Sequence, residues 1–69
     1  MAVVKTIDLV GVSSVSWRDA AQEALKEAGK SLRGIEEMDI LDTSCTVENN
    51  EISEYLTHVR IKFRIERSQ

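Results

Sequence analysis

Several things that stabilise or localise small proteins are scarce in this chain. Its 69 residues include one cysteine, which excludes an internal disulfide and a cysteine-based zinc site. There is no proline and there are only three glycines, so neither a collagen-like repeat nor a Pro/Gly-rich linker is present. No apolar run approaches the roughly 18 residues of a membrane span, so an integral membrane helix is not expected. Met1 to Val10 has a single lysine in an alternating pattern, not the charged-then-apolar order of a secretory signal, and a cytoplasmic location is expected. The net charge of −3 lacks the basic excess that phosphate binding needs, so no nucleic-acid partner is expected.

What is present is a 42% hydrophobic, 30% charged chain, the composition of an ordered domain rather than a disordered tail. The length allows one small domain, residues 1–69. Domains of this size bury only about 60% of their unfolded surface, and one such core rarely supplies more than ~3–5 kcal/mol. With disulfides excluded, self-association is the expected remedy.

Val3 to Val10 is rich in β-branched residues and ends at Gly11, and reads as a strand. Gly11 to Ser16 reads as a turn, with Ser16 as a helix N-cap and Asp19 in the first turn, where a carboxylate suits the helix dipole. Trp17, Ala20, Ala21, Ala24, Ala28 and Leu32 share one helical stripe, which predicts a helix over 17–32 whose alanines let it lie close on a sheet. Gly34 is the expected C′ residue. Ile35 to Glu48 and Glu51 to Glu66 read as two long strands joined at Asn49-Asn50, residues that tolerate positive φ. A two-residue loop sets Ile40 opposite Val59, Met38 opposite Ile61 and Asp42 opposite Thr57 on the helix-covered face. On the other face it sets Glu37 opposite Lys62, Asp39 opposite Arg60, Leu41 opposite His58 and Thr43 opposite Leu56. The expected fold is α+β: β-α-β-β, a three-stranded antiparallel sheet of order 1-3-2 packed on one helix.

The uncovered sheet face then carries charges with Leu9, Leu41, Leu56, Thr43 and His58. It reads either as a solvated face or as a subunit interface, and the small core favours the interface. Catalytic constellations are poor. His58 and Cys45 lie in strands without a partnered nucleophile or carboxylate at defined spacing, so no enzyme is expected. Gly11 stands alone before the helix and makes no phosphate loop, although the serine-rich helix start has N–H groups that suit an anion. Glu48, Asn49, Asn50, Glu51 and Glu54 offer oxygens to a hard cation but lack the spacing of a calcium loop, and read as a solvated turn.

Taken in order, Val10-Gly11-Val12-Ser13-Ser14, Ser16-Trp17, Ala20-Ala21, Ala24, Ser31-Leu32-Arg33 and the closing Val59, Ile61, Phe63, Arg64, Ile65, Glu66 resemble the dodecin family over nearly the whole chain. The resemblance implies a non-enzymatic small-ligand binding or storage protein assembled as a hollow homododecamer, with paired flavins stacked between subunits in flavin-binding members. The family's flavin site uses a tryptophan on the second strand and a glutamine on the third. Gapless matching puts Glu37 and Leu56 at those cofactor-binding positions. An aromatic platform is worth ~0.5–1.5 kcal/mol per stacked pair beyond area, and a carboxylate supplies none of it. Flavin affinity is therefore expected to be weak or lost. The alternative is a structural or divalent-cation-binding shell without an organic cofactor, with Glu37, Asp39 and Asp42 as metal ligands; against it stands neutralisation of Glu37 and Asp39 by Lys62 and Arg60.

Overall fold

In the computed structural model, which describes residues 2–66, the chain runs β1 (Ala2–Ser13), α1 (Trp17–Gly29), β2 (Ile35–Glu48) and β3 (Glu51–Glu66). The sheet order is β1-β3-β2, with β3 antiparallel to both neighbours, as the crossover argument expects.

The helix starts where the sequence places it. Ser16 has extended backbone and its Oγ accepts from the Asp19 N–H at 2.9 Å. Asp19 in turn accepts from Ser13 Oγ at 2.6 Å, and the same Oγ accepts from the Val15 N–H. The helix ends earlier than the stripe suggests, at Gly29 rather than Leu32. Glycine is a poor helix former, and the N–H groups of Ser31 and Leu32 both close onto the Ala28 carbonyl in a turn. Leu32 still packs against the core. Gly34 does have positive φ, 74°, but as the entry to β2 and not as the helix C′ residue; its carbonyl accepts from the Arg64 N–H at 3.0 Å.

The first strand does not stop at Gly11. It continues to Ser13, pairing Gly11 with Thr57, because the glycine marks a close backbone approach rather than a turn. A Cβ at Gly11 would stand 1.8 Å from the Ala20 carbonyl oxygen and 3.2 Å from Ala24 Cβ. Here the helix lies directly on the strand. Ala20, Ala21, Ala24 and Ala28 are buried, facing Val59 and Ile61 of the central strand, with Ile7, Leu9, Leu25, Ile35 and Met38 packed around them. Leu9 therefore belongs to the helix-covered face, opposite Val59, and not to the outer face.

Asn49 and Asn50 both have positive φ, 52° and 64°, as a two-residue hairpin turn of the I′ kind requires. The register of β2 on β3 matches expectation for Glu37–Lys62, Met38–Ile61, Asp39–Arg60 and Ile40–Val59, and again at Glu48–Glu51. Between these stretches it shifts by one residue, at irregularities between Ile40 and Asp42 and between Thr46 and Val47, with a third between Ile35 and Glu37. Asp42 then faces His58, Thr43 faces Thr57, and Ser44 faces Leu56. The expected pairs Asp42–Thr57, Leu41–His58 and Thr43–Leu56 are replaced because Leu41 is taken up as an extra, bulged residue. Asp42 moves to the outer face and Thr43 to the helix side.

Gly11→Ala should cost about 3 kcal/mol or more, at the upper end of overpacking penalties, read as a lower urea midpoint. Gly29→Ala, whose new Cβ would meet nothing within 4 Å, should instead stabilise by about 0.5–1 kcal/mol.

Candidate functional site

Alternation along β3 sends Leu56, His58, Arg60, Lys62 and Arg64 to the face away from the helix. The cations of this central strand are met by carboxylates from both edges. Arg60 donates to both Asp8 carboxylate oxygens, at 2.8 and 3.1 Å, from the β3 side of the β1 pairing. His58 Nε2 lies 3.4 Å from the same carboxylate. Lys62 Nζ sits between Asp39 at 3.3 Å and Glu37 at 3.5 Å. Arg64 donates to both oxygens of Glu36, at 2.7 and 3.1 Å. Glu37 is thus paired with Lys62 as expected, but the ion-pair partner of Asp39 is Lys62 and that of Arg60 is Asp8. The guanidinium reaches the first strand, a partner that hairpin register alone does not reveal.

These contacts set the ionisation of the face. The Arg60 hydrogen bond holds the Asp8 carboxyl below its ordinary value of 3.8, with the charges of Arg60 and His58 adding to it. The Arg64 hydrogen bond likewise lowers Glu36. The Asp39 carboxylate, with Glu37 behind it, raises Lys62, and Asp8 raises Arg60.

Glu37, Asp39 and Asp42 stand opposite Lys62, Arg60 and His58 in turn, so the Leu41 bulge brings all three carboxylates into one row. Successive members are about 7 Å apart at ~3.3 Å per residue, and among the described residues no three metal-ligating side chains gather in one place. Leu56 lies at the other end of the face, between Val12 and Ser44. Lys62, opposite Glu37, is six residues further along β3, about 20 Å from Leu56 at ~3.3 Å per residue. One protomer therefore does not bring Glu37 and Leu56 together.

Neither Glu37 nor Leu56 presents an aromatic ring on which a flavin could stack. Glu37 offers an ion-paired carboxylate, and Leu56 has no hydrogen-bonding edge. Trp17 is on the other side of the sheet: its ring meets Tyr55 edge-on at 4.8 Å between centroids, and its Nε1–H donates to the Ser44 carbonyl at 2.7 Å. Thr57 Oγ1 donates to the Trp17 carbonyl, which pins the helix start to β3. Beside Trp17 the helix leaves β2 uncovered, because it packs chiefly on β1 and β3. A cavity of about 370 Å³ opens there, lined by Trp17, Arg18, Met38, Ile40 and Thr43 among others. The sequence placed Met38 and Ile40 under the helix; Met38 does pack against the core, whereas Ile40 stays exposed, and both line this cavity with Thr43. The alanine stripe was the available signal, since a narrow stripe covers fewer strands.

The family model for dodecin matches residues 3–66. The chain belongs to the dodecin family. Calcium dodecin of Mycobacterium tuberculosis is 29% identical over 69 residues, covering 100% of this chain and 97% of that relative. The crystal structure of an arginine-to-alanine mutant of the Thermus thermophilus dodecin superposes with a TM-score of 0.91 at 30% identity, covering 97% of this chain and all of that one. The crystal structure of the M. tuberculosis calcium dodecin, a calcium-chelating antigen with a novel calcium-binding site, superposes with a TM-score of 0.82 at 30% identity, covering 97% and 96%. Dodecins are small binding and storage proteins rather than enzymes.

The acid limb of stability should follow from Asp8 and Glu36. Their folded-state ionisations are depressed, so their contribution is complete above the ordinary carboxylate range and is lost as pH falls through the lowered values. The melting temperature should hold steady down to about pH 5 and drop below it. Asp8→Asn should make that drop shallower, as measured by melting curves from neutral to acid pH.

Proposed function

We propose that the protein is a cytoplasmic, non-enzymatic dodecin-type storage shell, one dodecin-like domain per chain over residues 1–69, that assembles as a homododecamer and holds small ligands between copies. The observation that carries this reading is the separation of Glu37 from Leu56 by about 20 Å on one continuous sheet face. Exposed Val10 and Val12 on the same face add apolar area that a monomer has reason to cover. Flavin affinity is weak or absent in this reading. The second strand offers a carboxylate tied to Lys62 where a stacking ring is needed, and a negative charge there disfavours a phosphorylated flavin.

A cation-holding shell is the second reading, favoured by the calcium dodecin relative over the whole chain and by the row of Glu37, Asp39 and Asp42. Hard cations take several oxygen ligands at once, so in this reading symmetry-related carboxylates from neighbouring copies complete the coordination. Lys62 opposes it, since each carboxylate it pairs with has less charge left for a cation.

Native mass spectrometry of the protein as purified should give a dodecamer mass, and any retained ligand will appear as added mass. Free riboflavin titrated into the wild type should keep its fluorescence, whereas Glu37→Trp with Leu56→Gln should quench it stoichiometrically. Calcium titration followed by calorimetry separates the second reading: heat that disappears in Glu37→Gln with Asp39→Asn supports it, and no heat in the wild type removes it.

A further inference from the structure

The hairpin reaches past everything that covers it. The last β1 pairing is Ser13 with Tyr55, so Thr46–Glu48 and Glu51–Glu54 form a two-stranded ribbon about 10 Å long at ~3.3 Å per residue. Such ribbons are marginal alone in water. This one carries two aliphatic side chains directly opposite each other, Val47 and Ile52, 61% and 53% exposed. The register shift between Thr46 and Val47 bends and re-aims this tip. Around the pair stand Glu48, Glu51 and Glu54, none of which makes an ion pair among the described residues.

The complementary surface is the uncovered flank between helix and β2. It is apolar at Trp17, Met38 and Ile40, the last 54% exposed, and has Arg18 at its edge. Arg18 likewise makes no ion pair among the described residues. A protomer cannot fill its own cleft with its own tip, because Val47 lies only four residues beyond Thr43 on the same extended strand.

We propose that the β2–β3 hairpin tip of one copy docks in the helix–β2 cleft of another copy, with Val47 and Ile52 against Trp17, Met38 and Ile40, and Arg18 facing Glu48 and Glu51. The inference rests on the self-assembly reading above and assigns one of its contacts. The two surfaces differ, so the contact is either exchanged reciprocally between two copies or passed head to tail, and in the second case it closes as a ring only where the rotation between copies closes. It lies on the helix side of the sheet, leaving the outer face free to line the interior or to meet a second ring.

Oligomer size of the full chain, measured by analytical ultracentrifugation over a dilution series, tests it. Arg18→Glu alone, and Glu48→Arg with Glu51→Arg alone, should each weaken association at least about tenfold. Combining them should restore the wild-type dilution profile. Val47→Ser with Ile52→Ser should give smaller species with an unchanged helix signal in circular dichroism, since neither residue is in the core. If the wild type assembles and these variants assemble equally well, the hairpin assignment is overturned while self-assembly stands. A wild type that is monomeric at every concentration overturns both.

Discussion

The helix can lie where it does only because Gly11 has no side chain under the Ala20 carbonyl, and the structure is organised around that contact. With the backbones this close, alanine is the side chain that fits between helix and sheet, and Ala20, Ala21, Ala24 and Ala28 occupy the buried line. A helix seated so low on β1 and β3 is too narrow to shelter β2 as well. The open flank beside Trp17 and the exposed Ile40 are consequences of the same close approach. So is the thinness of the core, in which Val59 and Ile61 are the large aliphatic side chains fully removed from water.

On the opposite side of the sheet the central strand is the positive one and both edges are negative. Arg60 reaches to β1, Lys62 to β2, and Arg64 to Glu36 at the start of β2. Each cation on β3 is flanked from one side or the other, which ties the three strands together on the face the helix does not cover. Such pairs are partly solvent-screened, so their greater effect is on chemistry: the carboxylates of Glu36, Glu37 and Asp8 each already hold a cation. A face built this way presents paired charges along its central strand.

Local signals were enough for the elements and their order. Ser16 as the cap, the alanine stripe, the paired asparagines and the strand bounds of β2 and β3 rest on interactions within a few residues of one another, and all of them appear in the structure. Gly11 was misread as an end because a glycine in a strand has the same local appearance whether the chain turns or another backbone presses on it. Glu37 and Lys62 were found because hairpin register is nearly local. The partnership of Asp8 with Arg60 was not, since it joins residues 52 apart through pairing of the first strand with the last.

The faces of Asp42 and Thr43 mark the boundary between the two kinds of information. Amino-acid order alone determined that this segment is a strand, that it alternates, and that it returns along its neighbour after Asn49-Asn50. Whether Leu41 is counted in the ladder or bulges out of it depends on how β3 twists under the helix. One bulged residue reverses the side on which every later side chain stands until the next bulge. That choice is energetic and shared among three strands and a helix. Only the packed molecule decided that Asp42 joins the row with Glu37 and Asp39 and that Thr43 turns to the cleft beside Trp17.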